Sequence, residues 1–380
     1  MTEKIYDVVI VGNGITSNAA LIAFGEMQSK LDIAVLSPTQ NRKEFGIGEH
    51  LSAAAKPILK DLGLWESFVR EEQLEIQCAY SAWGSGLISE RNSLTDPRGG
   101  GWSLDRNRFN RWLSDEAKLR FASTRIEDGL SSALIDESNG VSLTLQSGKS
   151  IRTRFVLDAS GRSAVIAKQQ TVRERKDNLI AVYNHFEQID SEVEPTVGPL
   201  IEAMPSGWFY SALLPKRGLI VAWFTDADLL EKGSSDSLAE SKRLSMWNKQ
   251  IRASTYTLKR IESAGYSLDS PAMPKPAVAD ASTRLNQDVI GTHWAAAGDA
   301  AAAFDPLSSH GLTTALWAGK EAARGISARA EGNSEILAAY QKSYLQGISD
   351  YIDQAYRQYG SEMRFAETFW SRRRRPTVES

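Results

Sequence analysis

An acid, a proline, two serines and a histidine crowd into six residues at Asp305, Pro306, Ser308, Ser309 and His310. They follow the small-residue run GDAAAAF (298–304) and precede Gly311. A stretch this poor in bulk can lie against a flat ligand, and an imidazole that titrates near neutrality could move a proton there. Pro306, Ser308 and His310 are therefore the candidate catalytic group. His310 has a plainer alternative: a ring that fixes the shape of the loop through a hydrogen bond to backbone. His50, His185 and His293 are dispersed and give no ligand spacing, so no metal is expected. The single cysteine, Cys78, excludes an internal disulfide and a thiolate cage.

A second chemistry-bearing stretch lies at the start of the chain. Tyr6 to Val11 reads as an apolar strand, Gly12-Asn13-Gly14 as a turn, the following residues as a helix by their spacing, and Asp32 to Ser37 as another strand. Such a unit makes parallel neighbours and sets the helix N-terminus at the carboxyl end of the first strand, where unpaired N–H groups attract phosphate. Gly12 permits the tight turn, Gly14 lets a pyrophosphate approach the backbone, and Ile15 and Thr16 open the helix. Ser17 stands where a third glycine would be, and Ser37 where an acid for a ribose hydroxyl is expected. The bland alternative is a turn into a buried helix.

The elements that must hold these stretches follow in chain order. Asp105 and Arg106 open a helix with Phe109, Leu113 and Ala117 on one face. FVLDASGRS (155–163) ends an apolar strand in an acid and a glycine turn, and Asp299 follows a further strand. A helix from about Ser309 carries Leu312, Leu316 and Gly319 on one side. The 380 residues suit two closely packed domains, and 42% hydrophobic with 24% charged residues is an ordinary globular composition. A net charge of −3 gives no reason to expect nucleic acid, no apolar run is long enough for a membrane span, and MTEKIYDVVIVG lacks a signal-peptide pattern. A cytoplasmic location is expected.

Taken together these segments resemble the FAD-dependent aromatic monooxygenases and flavin halogenases of the hydroxybenzoate hydroxylase type, over most of the first 165 residues and 290–330. The resemblance implies FAD. It places Gly12, Gly14, Ile15, Thr16 and Ser17 at the pyrophosphate, with Arg106. Ser37 and Glu49 of GIGEHL go to the adenosine side or the flavin edge, and Asp299 to the ribityl chain or pyrophosphate. The N–H groups of Gly311 and Leu312 would meet the flavin pyrimidine, where a helix N-terminus favours the negative charge that gathers on reduction. The implied fold class is α/β: a Rossmann-like FAD-binding domain (1–75, 100–170 and 282–330), an antiparallel β-sheet substrate domain (76–99 and 171–281) and a helical C-terminal section (331–380). LIAVYNHF, GWFYSALLP and GLIVAWF alternate like strands and would roof the flavin.

The halogenases of this type need a lysine about thirty residues beyond the GE pair, and none stands between Lys60 and Lys118. The resemblance therefore favours transfer of oxygen itself. SAWGS, GGGWSLDR and DPLSSHG look like a narrower subgroup, the maturation flavoproteins that accompany amino-acid oxidases carrying cysteine tryptophylquinone. Their implied substrate is a tryptophan side chain of a partner, the precursor of a quinoprotein oxidase, with Trp83, Trp208 and Tyr210 as substrate contacts. Taken singly those aromatics, and Trp102, could equally be core. No second glycine fingerprint exists for a stably bound nicotinamide, so the electron donor would be a transiently bound reduced nicotinamide or reduced flavin. The alternatives are a small-molecule aromatic hydroxylase or halogenase, and an FAD-containing folding or binding factor for a partner.

The C-terminal section reads as a helical pair bearing tyrosines 340, 344, 351, 356 and 359, either packing on the FAD domain or receiving a partner. SRRRRP (371–376) reads as a solvated tail end.

Overall fold

Ile5–Val11 is apolar and β-branched at most positions, the composition of a strand buried on both faces, and it forms the centre of the first sheet. Ile33–Ser37 and Ser150–Asp158 flank it, both parallel. Thr124–Glu127 extends one edge in parallel, Trp294–Ala296 joins the end of Ser150–Asp158 in parallel, and the antiparallel hairpin Leu130–Asp136 with Gly140–Leu145 completes the other edge. The computed structural model describes residues 4–38, 49–93, 97–230, 236–269 and 275–374.

Four helices matter for the site: α1 (Ile15–Glu26), α2 (Arg106–Arg120), α3 (Gly311–Ala330) and α4 (Glu335–Ser361). α1 is buried on every face from Ile15 to Phe24, because α2 and α3 pack against it while it lies on the sheet. Gly319 makes the α3 contact possible: a Cβ there would lie 2.3 Å from the Thr16 carbonyl oxygen and 2.9 Å from the Ala19 Cβ. α2 starts where the sequence places it, capped by Asp105 Oδ1, which accepts from the Arg108 N–H at 2.9 Å.

The second sheet runs Ala277–Asp280, Leu179–Phe186, Leu219–Asp226, Gly207–Leu213, Leu200–Met204, Cys78–Ala82, Ser89–Asn92. It is antiparallel except at one junction: Leu200–Met204 and Cys78–Ala82 run parallel, a departure from the all-antiparallel expectation. No hairpin joins those two strands, and the chain between them passes through four strands of the first sheet, so nothing local fixes their direction. Alternation along the strands divides the sheet's faces. Phe209, Leu213, Val221 and Trp223 pack under the helices Asp236–Ala253 and Tyr256–Ser263, around Trp247 and Ile261. Trp208, Ala212, Ala222 and Phe224 face the other way, onto Tyr359, Phe369 and Trp370.

The expected C-terminal pair is one helix of 27 residues followed by a short turn, Thr368–Ser371. Leu337, Tyr340, Tyr344, Ile348 and Tyr359 stay buried along it with no proline to end it. The arginine run is also not the solvated tail the sequence suggests. Arg373 is buried, its Nη1 and Nη2 donating to Asp226 at 3.0 and 2.5 Å, while Arg372 reaches Asp226 at 3.1 Å and Asp228 at 2.8 Å. Arg374 donates to the carbonyls of Glu362 and Phe365. Asp226 closes a fully buried strand, so its carboxylate requires such charged partners, and the tail supplies them. Arg375 and Pro376 lie outside the described residues. Among the described residues no helix is long and apolar enough to cross a membrane.

Candidate functional site

The glycine turn before α1 is held by contact and opens onto free space. Gly12 has φ +117°, and a Cβ on it would lie 2.3 Å from the Ala159 carbonyl oxygen, so only glycine fits. Gly14 is extended and has nothing within 4 Å of its Cβ position. No neighbour in the fold requires a glycine there. Arg125, from the neighbouring strand, donates Nη1 to Asn13 Oδ1 in this turn at 2.9 Å, while its buried Nη2 has no protein partner. An arginine nitrogen left open beside a bare helix N-terminus fits the phosphates of a dinucleotide. Burial holds the Arg125 pKa below the usual arginine value. Sequence reasoning missed this residue, because nothing in TRIE (124–127) marks it before the strand pairing brings it to Asn13.

The candidate residues around this turn fall into two kinds. Ile15, Thr16 and Ser17 are buried in the first turn of α1. Ser37 is half-buried at the carboxyl end of its strand, paired with Glu127. The turn bearing Asp299 presses on the same helix end, for a Cβ at Gly298 would lie 2.3 Å from Thr16 Oγ1.

Asp299 sits among arginines. Arg162 Nε is 3.8 Å from Asp299 Oδ2, Arg173 Nη2 donates to the Asp299 carbonyl at 2.9 Å, and Arg106 acts on the carboxylate electrostatically. The two predicted residues Arg106 and Asp299 are thus brought together. The carboxylate is 40% exposed. Desolvation raises its pKa and the three arginines pull it back. Arg162 and Arg173 were not singled out in the sequence. The acid ending FVLDASGRS, Asp158, plays another part: it is buried and accepts from the N–H groups of Ile166 and Ala167 at 2.8 and 2.9 Å, a structural cap.

The loop before α3 is a single tight turn, Pro306–Ser308, followed by Ser309 in the left-handed region at φ 54° and by His310 as the N-cap of α3. Ser308 Oγ donates to the Asp305 carbonyl at 3.2 Å, so its hydroxyl serves the turn. Gly311 is exposed with nothing within 4 Å of its Cβ position, and Leu312 is buried in the core. His310 makes no capping bond; burial and the nearby Arg98 lower its pKa, which keeps the ring neutral near pH 7. His50 adjoins it. Ser52 Oγ and Thr313 Oγ1 are 2.9 Å apart, tying the strand His50–Leu51 to the first turn of α3, and the charge of His310 helps lower the His50 pKa to about 4, after the larger effect of burial. The dispersed histidines thus include one spatial pair. Among the described residues no group of His, Cys, Asp and Glu could hold a metal. Gly46 to Gly48 of GIGEHL lie outside the described residues; Glu49 is buried and acts electrostatically on Tyr183 and Tyr210.

The three expected substrate contacts divide. Tyr210 is half-buried on the roof face toward Glu49, and burial raises its pKa. Trp208 is 1% exposed, stacked on Phe224 with centroids 4.0 Å apart, and donates its Nε1 to Tyr359 Oη at 3.1 Å. It is a core residue, with no free indole face to offer a substrate. Trp83 is half-buried at the edge of the same cluster, against Trp370 at 5.1 Å, its Nε1 donating to the Gln358 carbonyl. Trp102 packs edge-on against Phe68 in the first core.

The sequence profile of the tryptophan halogenase family matches residues 83–380, more than three quarters of the chain. A protein of Marinomonas mediterranea with the provisional name FAD-dependent oxidoreductase LodB is 24% identical over 97% of this chain and 96% of its own. The 1H-pyrrole-2-carbonyl-[peptidyl-carrier protein] brominase of Pseudoalteromonas luteoviolacea is 23% identical over 87% of this chain and 79% of its own. Among solved structures, the flavin-dependent halogenase CmlS has a TM-score of 0.82 at 19% identity, covering 99% of this chain and 68% of that one. The peptidyl tryptophan dihydroxylase QhpG, essential for tryptophylquinone cofactor biogenesis, has a TM-score of 0.74 at 21% identity, covering 97% and 79%.

Proposed function

The chain belongs to the tryptophan halogenase family of FAD-dependent oxidoreductases, and from that premise we propose that it hydroxylates a tryptophan side chain of a partner protein on the way to a tryptophylquinone. Bound FAD, once reduced, supplies activation of dioxygen. One oxygen atom replaces hydrogen on the indole as hydroxyl, the other leaves as water, and a reduced nicotinamide or reduced flavin provides the two electrons. The chain's own residues do the rest. Gly12, Gly14 and the first turn of α1, with Arg125, hold the pyrophosphate; Ser37 and Glu49 flank the cofactor; Asp299 with Arg106 takes the ribityl and phosphate side. Gly311 and Leu312 present N–H groups to the flavin ring at the start of α3. His310, with its ring neutral at that helix end, would accept the proton released from the indole.

One observation carries hydroxylation over halogenation: no lysine stands from Asp61 to Ala117. The LodB and QhpG likenesses support a protein-borne tryptophan as substrate, and the halogenase relatives keep halogenation as the rival reading. The test mixes the reduced holoprotein, oxygen and bromide with an unmodified quinoprotein precursor, and separately with free tryptophan. A mass gain of about 16 on a precursor tryptophan, with none on the free amino acid, is the expected result. Brominated product, or turnover of the free amino acid alone, overturns it.

A further inference from the structure

α4 presents a ladder of tyrosine hydroxyls to one continuous stretch of main chain, and that stretch carries both Asp299 and the loop at the start of α3. Tyr340 Oη donates to the Ala296 carbonyl at 2.7 Å and Tyr344 Oη to the Gly298 carbonyl at 2.8 Å. Further along, Tyr351 Oη accepts from the Asp305 N–H at 2.9 Å. The last rung differs in kind: Tyr359 Oη donates to the Asp305 carboxylate, Oδ2, at 2.5 Å, and itself accepts from Trp208 Nε1 at 3.1 Å. All three members of this last chain are buried.

Asp305 uses its two oxygens in opposite directions. Oδ2 is tethered to α4 through Tyr359, while Oδ1 accepts from the Leu307 N–H at 2.9 Å and so closes the turn Pro306–Ser308. That turn leads into Ser309 in the left-handed region, a conformation unfavourable for serine that must be held from outside. Gly311 follows two residues on. A shift of the carboxylate therefore moves the backbone that starts α3.

We propose that Asp305 and Tyr359 are positioning residues, which together with Trp208 fix the loop Pro306–Gly311 and so set where the first N–H groups of α3 meet the flavin. The proposal rests on the reading of Gly311 and Leu312 given above. Asp305 and Tyr359 touch neither cofactor nor substrate; they act through the loop.

The experiment compares Tyr359→Phe, Asp305→Ala and Asp305→Asn as holoproteins by FAD titration and by the visible circular dichroism of the bound flavin, with Gly311→Val as a control for the reading itself. Tyr359→Phe and Asp305→Ala are expected to weaken FAD roughly tenfold, as for one lost hydrogen bond to a charged group, and to alter the flavin spectrum. Asp305→Asn keeps an acceptor for the Leu307 N–H but sets an amide N–H against the Tyr359 hydroxyl, so it should fall between Asp305→Ala and the wild type in both readouts. A merely structural role would lower the thermal midpoint and leave the flavin spectrum alone. Should Asp305→Ala not fold, Tyr359→Phe, which removes a single oxygen atom, decides the matter. An altered spectrum in Gly311→Val with wild-type affinity and spectrum in Tyr359→Phe overturns this inference alone; an unaltered spectrum in Gly311→Val overturns the flavin reading beneath it.

Discussion

The glycine turn at the head of α1 and the roof sheet with its C-terminal strap are built on different principles. At the turn, backbone meets backbone: Gly12 against Ala159, Gly319 against Thr16, and Gly14 facing open space. In the roof, buried charges are tied by side chains. Glu202 accepts from the N–H groups of Thr255 and Thr257 at 2.7 Å each, Arg260 donates to the carbonyls of Thr196 and Gly198, and Asp226 is held by Arg372 and Arg373. The turn combines close approach with open space at Gly14. A region made of charged staples is committed to holding itself together, and the two should fail in different ways when altered.

The largest effect should come from the turn. Gly14→Val places a branched side chain in the space before the helix, so the protein should fold and lose FAD affinity by roughly a hundredfold or more, emerging colourless. Stoichiometric yellow protein would break the contrast at its strongest point. The matching change in the roof is Glu202→Ala, which strips a buried helix N-terminus of its carboxylate. It should cost on the order of 3 kcal/mol of stability, read as a lowered urea midpoint, with FAD affinity unchanged in the folded protein. Loss of FAD from folded Glu202→Ala would show that the roof and the turn are not separate.

Asp299→Ala sharpens the turn's side of the comparison at smaller scale. Removing this partly exposed charged acceptor should weaken FAD by about 1–3 kcal/mol, with little change in the stability of the apoprotein. Equal affinity would leave Asp299 as no more than a counter-charge for Arg106, Arg162 and Arg173.

The same contrast explains what the sequence could tell. The turn's logic is local: strand, Gly12, Gly14 and helix fall within a few residues, as do Asp305 to Gly311, so each could be read directly along the chain. Gly319 and the Asp105 cap likewise announce themselves by position. The staples carry no such mark. Glu202 meets Thr255 across 53 residues and Asp226 meets Arg373 across 147, so the arginine run looked like a free tail. Trp208 misled for the same reason: an aromatic on an alternating strand is consistent with either face, and only the C-terminal segment packed against it shows which side is core. Arg125 needed a strand pairing, and His50 needed the Ser52 to Thr313 contact, before either could be seen at the site.

His50 lies where the two regions meet, and its protonation offers the finest test. Its folded pKa is lowered from 6.5 to about 4, chiefly by burial. Between those values the unfolded chain binds a proton that the native state refuses, so this group makes stability rise with pH from about 4 to 6.5 and contributes nothing further above. Asp305 opposes it: burial raises its pKa from 3.8 to about 6, so over that span the native state holds the extra proton and stability falls as pH rises. In the wild type the two partly cancel. His50→Gln removes one side of the balance. The difference in unfolding free energy, wild type minus His50→Gln, should climb with pH between about 4 and 6.5 at no more than about 1.4 kcal/mol per pH unit, and be flat outside that window. Denaturant titrations at closely spaced pH values measure it. A difference that is flat throughout would mean that the His50 ring titrates as it does in water, and that the meeting of the strand His50–Leu51 with the first turn of α3 is open to solvent rather than closed around the imidazole.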